Sequence, residues 1–418
     1  MLETMGKNAR LAFRQMALAP ATQRNAALEQ IAALILQEEG SILSANEEDM
    51  RHAMQSGLSD SMLDRLMLNH SRLSAMASDL IGIAGLADPL EEIYDAYVLP
   101  NGLKVHKRRV PLGVLAAIYE ARPNVTIDIA GLVIKTGNVV ILRGGSETIH
   151  SNRAFITVIQ KALESCGLPQ AAVQFIDDRS RERVNELLKL HEYVDLLIPR
   201  GSAALHKFCR ENSQIPVITG GIGICHLYVE ESANLDASLE VIRNAKVQRP
   251  TVCNALDTVL VQAPIATEFI PRIISKLTPD GVTFRLEPQA MQVLADQSLP
   301  GVSPAGPQDF DTEWLSLVLG IKVVSGLDEA IQHIEAHSTS HSDGILTENA
   351  QQAQDFLNRV DSSVVYLNAS TRFTDGGQLG LGAEVAVSTQ RVHARGPMGP
   401  KELTSYKWVV QGEYQVRQ

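Results

Sequence analysis

From residue 111 onward the chain alternates short apolar runs with amphipathic stretches, and this alternation admits only one broad class of fold. Residues 113–119 read as a fully buried strand, 125–135 as an apolar helix ended by Thr136-Gly137-Asn138, and 139–143 as the next strand. A helix reaching about Cys166 follows, then a strand at 173–176, a helix at 181–190, a strand at 195–198 and a helix opened by Gly201-Ser202. Further strands are expected at 216–219 and 225–229. Continuous apolar strands separated by helices make parallel sheets covered on both faces, and such sheets bind ligands at the carboxyl ends of their strands. A second series begins after Cys253, with strands at 258–261, 317–324, 343–346 and 364–367 and helices at 266–277, 327–337 and 349–360. The stretch 287–312 reads as irregular, polar surface. The expected fold is therefore α/β, with two doubly wound α/β domains.

The flanks differ in character. Residues 2–86 are helical throughout: Leu28, Ile31, Ala32, Leu34 and Ile35 fall near a 3.6-residue period, and Asp60 and Ser71 are candidate N-caps. Asn101-Gly102 between 97–99 and 103–106 is the strongest short hairpin signal. A last strand pattern runs over 407–416.

A formal charge of -11 argues against a nucleic-acid binder, which needs a basic excess. It leaves room for a small anionic ligand held by a local cluster of cations. Cys166, Cys209, Cys225 and Cys253 are far apart, with no CxxC pair and no zinc-site spacing, so no metal is expected and the thiols read as reduced. The N-terminus places Glu3 early and has no uninterrupted apolar leader, and no apolar run reaches bilayer-spanning length. The expected location is the cytoplasm, away from any membrane.

Chemistry concentrates around Cys253, in the loop Gln248-Arg249-Pro250-Thr251-Val252-Cys253-Asn254. Arg249 and Lys246 beside it would favour the thiolate that performs nucleophilic chemistry. The competing reading is a small buried cysteine next to a strand. Neither GxGxxG nor GxxxxGK[ST] occurs. Glycine-rich junctions do occur at strand ends: Arg143-Gly144-Gly145-Ser146, Arg200-Gly201-Ser202 and Thr219-Gly220-Gly221. Each is either a tight turn or a place where backbone and a helix N-terminus approach a phosphate; three in succession favour a nucleotide site.

Several longer segments carry a resemblance. Pro111-Leu112-Gly113-Val114, Lys135-Thr136-Gly137-Asn138, Ile141-Leu142-Arg143-Gly144-Gly145, Gly220-Gly221 and Cys253, in this order, resemble the aldehyde dehydrogenase superfamily. Tyr119-Glu120-Ala121-Arg122-Pro123-Asn124, Leu197-Ile198-Pro199-Arg200-Gly201 and the run from Asn368 through Thr371-Arg372 to Gly377 are most similar to the branch that acts on L-glutamyl 5-phosphate in proline biosynthesis. The resemblance spans essentially the whole chain. It implies NADPH-dependent reduction of that acyl phosphate to the semialdehyde through a thioester on Cys253. Asn124 then matches the oxyanion-hole asparagine, acting with the Cys253 backbone N–H; capping a helix is its plainer use.

The hydrolytic members carry a glutamate base two residues before the Gly-Gly pair, where this chain has Ile218. The resemblance further implies Arg143 at the NADP 2′-phosphate, Gly144, Gly145, Gly201, Ser202, Gly220 and Gly221 about the cofactor, and Glu313 at a ribose. Arg122, Arg249 and Arg372, with Ser370 and Thr371 as hydroxyl donors, would bind substrate; each arginine has a structural ion pair as its alternative. The implied organisation is 1–244 for the helices and nucleotide-binding domain, 245–373 for the catalytic domain and 374–418 for a return segment. The hairpin over 95–110 and the last strand would join copies in a homo-oligomer, since an unpaired hairpin is marginal alone. Glutamate 5-kinase is the implied protein partner. The rival readings are a water- or coenzyme-A-using aldehyde dehydrogenase and a non-catalytic partner of that kinase.

Overall fold

The computed structural model describes residues 1–294 and 299–417, which form two compact units. The first comprises Met1–Thr219, Gly380–Ala386 and Met398–Gln418; the second comprises Gly220–Leu379 and Val387–Pro397.

In the first unit the helices Leu2–Met16, Ala21–Gln37, Glu39–Gln55, Asp60–Leu66 and His70–Gly85 make the N-terminal layer. Each buries one stripe, for example Ala27, Leu28, Ile31, Leu34 and Ile35. The N-caps stand at Ser59 and Asn69 rather than at Asp60 and Ser71, and Asn69 accepts the N–H of Arg72. Among the described residues, the run His70–Glu91 alone has the length and composition to cross a membrane. Its helix turns Leu73, Met76, Leu80 and Ile83 into the interior of the unit.

The four-stranded parallel sheet has the order Val173–Phe175, Val139–Arg143, Val114–Tyr119, Leu196–Arg200. The first strand in the chain, Val114–Tyr119, lies inside the sheet and is buried at every residue, as a run without alternation requires. Its neighbours lead away on opposite sides, which opens a crevice beyond the carboxyl ends of Val114–Tyr119 and Leu196–Arg200. The strand expected at 216–219 is reduced to a single bridge, Leu197 to Val217.

A separate antiparallel sheet joins Ile93–Val98, Lys104–Pro111 and Thr404–Gln411, with Lys104–Pro111 central. The hairpin turns through Pro100-Asn101-Gly102, closed by Leu99 N–H to Leu103 O at 2.8 Å, and Gly102 takes the left-handed φ of 88° that a three-residue loop needs. The last strand pairs Thr404 with Pro111 through Gln411 with Lys104, so it begins and ends earlier than the expected 407–416. Val98, Trp408 and Val410 on this sheet are more than half exposed.

The second unit is built on a seven-stranded parallel sheet in the order Val302–Pro304, Thr283–Leu286, Val318–Val324, Leu256–Gln262, Cys225–Val229, Ser342–Leu346, Val364–Leu367. Leu227, Val259, Phe269, Ile273, Phe284 and Ile321 form the core on one face; Tyr228, Leu260, Ile345 and Phe356 form the core on the other. Cys225–Val229 pairs with Leu256–Gln262, to which it is connected by the helix Leu235–Val247. This connection brings Cys225–Val229 into the second sheet, so the division falls at Thr219 and Gly220 and not at 244 and 245. The return segment is likewise shared between the units. Within the stretch expected to be irregular stand a helix, Pro288–Val293, and the edge strand Val302–Pro304; 295–298 lie outside the described residues.

Candidate active site

At the carboxyl ends of the first sheet lies a cleft of about 1070 Å³, walled by Tyr119, Glu120, Arg143, Gly145, Arg181 and Ser202 among others. Arg143 ends its strand and turns back on the chain, donating to Gly144 O at 2.9 Å and Arg179 O at 3.5 Å, while its buried Nε has no hydrogen-bond partner. Burial lowers its pKa from the ordinary guanidinium value, with Glu147 and Asp178 acting the other way. An unmatched donor on a half-buried cation is suited to an anionic ligand.

The glycines of the two junctions make room for neighbouring side chains, Glu120 and Glu147 of this cleft and the buried Asn152 behind it. A Cβ on Gly144 would meet Asn152 Nδ2 at 2.2 Å, one on Gly145 would meet Glu147 Oε1 at 2.1 Å, and one on Gly201 would meet Glu120 Oε2 at 2.4 Å. Glu120 accepts the Ser202 N–H at 2.8 Å and its hydroxyl at 3.3 Å. The helix N-terminus expected to face pyrophosphate thus already holds a carboxylate. Glu147 accepts the N–H of Ala121 at 2.7 Å. Ala121 has φ of 44°, a conformation that costs a non-glycine residue about 1–3 kcal/mol, so Glu147 steadies a strained turn just ahead of Arg122-Pro123-Asn124.

Asn124 opens the helix Asn124–Lys135, whose N-cap is Pro123, and does not cap it with its side chain. Its amide donates instead to Asp128 Oδ2 at 2.9 Å, one turn along. Sequence reasoning missed Asp128, although the Asn-x-x-x-Asp spacing places both on one helix face. Burial pushes the Asp128 carboxyl up to about 6 from 3.8, while Arg200 and the Asn124 bond pull it down. A raised acid contributes stability fully present below its unfolded value and lost as pH climbs through about 6. That rise corresponds to roughly 3 kcal/mol. Asp128→Asn is expected to abolish this dependence. In thermal melts from about pH 4 to about pH 7.5, wild type should lose stability relative to the variant; parallel curves would remove the assignment.

In the second unit, Cys253 is half-buried in the loop between Leu235–Val247 and Leu256–Gln262. The loop is held from three directions. A Cβ on Gly223 would lie 1.5 Å from the Cys253 carbonyl oxygen, so only glycine fits there. The Cys225 thiol donates to the same oxygen at 3.3 Å. Buried Asn254 donates to Thr374 O at 2.8 Å, and its own carbonyl accepts the Thr371 hydroxyl at 2.7 Å.

Arg372 donates to Gln248 Oε1 at 3.1 Å and to Asn254 Oδ1. Burial and then the Arg249 charge lower its pKa, opposed by Asp375 and the Cys253 and Cys225 thiols. Arg249, Arg372 and Cys253 therefore share one electrostatic neighbourhood. Thr371 and Ser370, expected as donors to substrate, are buried: the Thr371 hydroxyl is committed to Asn254, and Ser370 Oγ accepts the Arg372 N–H at 3.3 Å. Their visible work is to fasten this loop. Lys246, expected beside the thiolate, is buried and pairs with Asp257 at 3.4 Å.

Glu313 accepts the Gly223 N–H at 2.8 Å, and burial pushes its carboxyl up to about 7. Gly220 and Gly221 both have positive φ, and a Cβ on Gly220 would meet Val387 O at 2.2 Å. Burial pushes the Cys209 thiol up to about 11 and the Cys225 thiol well above its ordinary value, so neither supplies a thiolate near neutrality.

The family model for the aldehyde dehydrogenase family matches residues 2–279. A gamma-glutamyl phosphate reductase of Serratia proteamaculans is 55% identical over 417 residues, covering 100% of each chain. The crystal structure of a gamma-glutamyl phosphate reductase from Thermotoga maritima superposes with a TM-score of 0.97 at 44% identity, with 100% of both chains covered. An acetylating aldehyde dehydrogenase from Geobacillus thermoglucosidasius shares the fold, with a TM-score of 0.69 at 17% identity over 100% of this chain and 97% of its own.

Proposed function

This chain belongs to the aldehyde dehydrogenase family, among its gamma-glutamyl phosphate reductases, and from that premise we propose that it uses NADPH to reduce L-glutamyl 5-phosphate to L-glutamate 5-semialdehyde, releasing phosphate. The observation that carries this reading is Arg372 held against the Cys253 loop by its bonds to Asn254, the residue after Cys253, and to Gln248, the residue before Arg249. Cations there favour the thiolate and suit a phosphate leaving group. The Cys253 thiolate attacks the acyl carbon, the carbon–oxygen bond to phosphate breaks, and a thioester remains on the sulfur. Bound NADPH supplies the hydride that reduces this thioester. The resulting thiohemiacetal collapses as its carbon–sulfur bond breaks, which frees the aldehyde and returns Cys253.

Asn124 and the Cys253 N–H are the proposed donors to the oxyanion of both steps, and losing one such donor costs about 100-fold or more. Asp128 is a positioning residue that orients the Asn124 amide. Arg122, Arg249 and Arg372 are proposed to hold the substrate anions, with Ser370 and Thr371 keeping Arg372 and the loop in place.

The cofactor fits the residues of the cleft. Arg143, with its unpartnered Nε, is the proposed partner of the 2′-phosphate. Gly144 and Gly145 give backbone access, Gly201 and Ser202 open a helix whose first N–H Glu120 must release before a phosphate takes it, and Gly220, Gly221 and Glu313 complete the proposed cofactor set. Arg143→Ala is expected to weaken NADPH by about 10- to 150-fold, the loss of a charge-assisted contact of roughly 1.5–3 kcal/mol. NADH, which lacks the phosphate, should change little. Equal losses in a binding titration would put the 2′-phosphate elsewhere.

The exposed face of the antiparallel sheet that carries Tyr97, Tyr406, Trp408 and Val410 is the proposed contact between copies in a homo-oligomer. No disulfide joins the cysteines among the described residues, which suits the reducing cytoplasm proposed for this enzyme.

A further inference from the structure

We propose that Glu48, His52 and His150 form a binding site for a divalent transition-metal ion of the zinc type. Glu48 and His52 stand one turn apart on the helix Glu39–Gln55, so both project from one face; His150 lies in the first turn of the helix Ile149–Ser165. One ligand atom from each of the three lies within 4.8 Å of the others. Zinc bound at about 2.0–2.2 Å in tetrahedral geometry sets its ligand atoms roughly 3.4 Å apart. Glu48 Oε2 and His150 Nδ1 are 3.6 Å apart, too far for a hydrogen bond and close to that ligand spacing. The His52 and His150 rings have centroids 5.7 Å apart and are tilted by 42°, a separation that two imidazoles sharing one ion can adopt.

A second observation concerns what His150 lacks. Its Nε2 is buried and has no hydrogen-bond partner. With Nε2 carrying the ring proton, Nδ1, which stands 3.6 Å from Glu48 Oε2, is the nitrogen left to ligate the ion. Its backbone, by contrast, is anchored: Asp49 accepts the N–H of His150 at 3.2 Å, and the N–H and hydroxyl of Ser151 at 2.8 and 2.7 Å. Asp49 thereby fixes the helix start that presents His150. Arg153, one turn along the helix from His150, is paired with Asp177 at 2.7 Å. Two nitrogens and one carboxylate oxygen, with the remaining position open to water, is a donor set that zinc accepts and that magnesium, which prefers all-oxygen ligands, does not. Sequence spacing hides this site because its third ligand comes from a different helix.

The test is zinc binding by equilibrium dialysis on the full chain carrying Cys253→Ser, which removes the reactive thiol as a competing ligand. One zinc per chain is expected, unaffected by excess magnesium, together with a metal-dependent rise in melting temperature. His52→Ala and His150→Ala should each weaken binding by about tenfold or more and abolish that rise. His52 is exposed, so its replacement leaves the fold intact and keeps the comparison clean. Tetrahedral absorption with cobalt should appear in the parent and vanish in both variants. Zinc affinity unchanged in His52→Ala, or no binding below millimolar zinc, overturns the proposal.

Discussion

Cys253→Ala is expected to lose turnover by roughly 10⁴-fold or more, because no other group in the loop offers a nucleophile for the acyl carbon. Folding should survive, since Gly223, Cys225 and Asn254 grip the backbone of this loop and not the thiol of Cys253. NADPH binding in a titration should be nearly that of wild type. Cys166→Ala serves as the control and should leave turnover largely unchanged. Cys225→Ala is a different case: it removes the thiol that donates to the Cys253 carbonyl, so a several-fold loss with intact chemistry is expected. Wild-type turnover in Cys253→Ala would overturn the thioester mechanism.

The second large effect is a dependence on phosphate. In the oxidative direction, semialdehyde and NADP should yield a thioester on Cys253 and one NADPH per active site, after which the reaction stops. Phosphate attacks that thioester, breaks its carbon–sulfur bond, and frees the thiol as acyl phosphate leaves. Steady turnover should therefore begin only on adding phosphate, and arsenate should replace it. The physical reason is what stands before Gly220-Gly221: Ile218 is a buried aliphatic side chain that cannot take a proton from water. Sustained turnover in phosphate-free buffer, with glutamate as product, would reveal a water-activating base and replace the reductase reading by a hydrolytic one.

Local patterns proved readable where neighbouring residues set the outcome. The strand Val139–Arg143 matches its expected span to the residue, and Val114–Tyr119 and Asn124–Lys135 match theirs within one residue. The Asn101-Gly102 turn is where its chemistry demands, because a left-handed glycine is a local requirement. Legibility failed where a partner is chosen across long separations. Nothing in Cys225–Val229 itself says which of two parallel sheets it joins, since a buried strand looks alike in both.

The site follows the same division. That Arg143 and Gly145 stand at a strand's end was legible from their glycine-rich junction, and both line the cleft. Glu120 and Glu147 were not, because their roles depend on which backbone N–H they meet at Ser202 and Ala121. Thr371 reads as a polar donor until its burial is seen, when the Asn254 carbonyl accounts for its hydroxyl.

The first unit draws on the chain's beginning and its end, with Gly220–Leu379 intervening. The strand Thr404–Gln411 completes its antiparallel sheet by pairing with Lys104–Pro111, made about three hundred residues before it. On the ribosome, the seven strands of the second unit are all available before that pairing is, because every one of them lies between Cys225 and Leu367. The central strand Lys104–Pro111 must therefore wait through most of synthesis with one edge unpaired, and an unpaired edge is the part of a nascent sheet most prone to join another chain. Loop closure over so long a separation adds little entropy per further residue, so the delay is set by translation and not by stability. A ribosome stalled before residue 404 would leave the sheet that carries the Cys253 loop complete and this sheet one strand short.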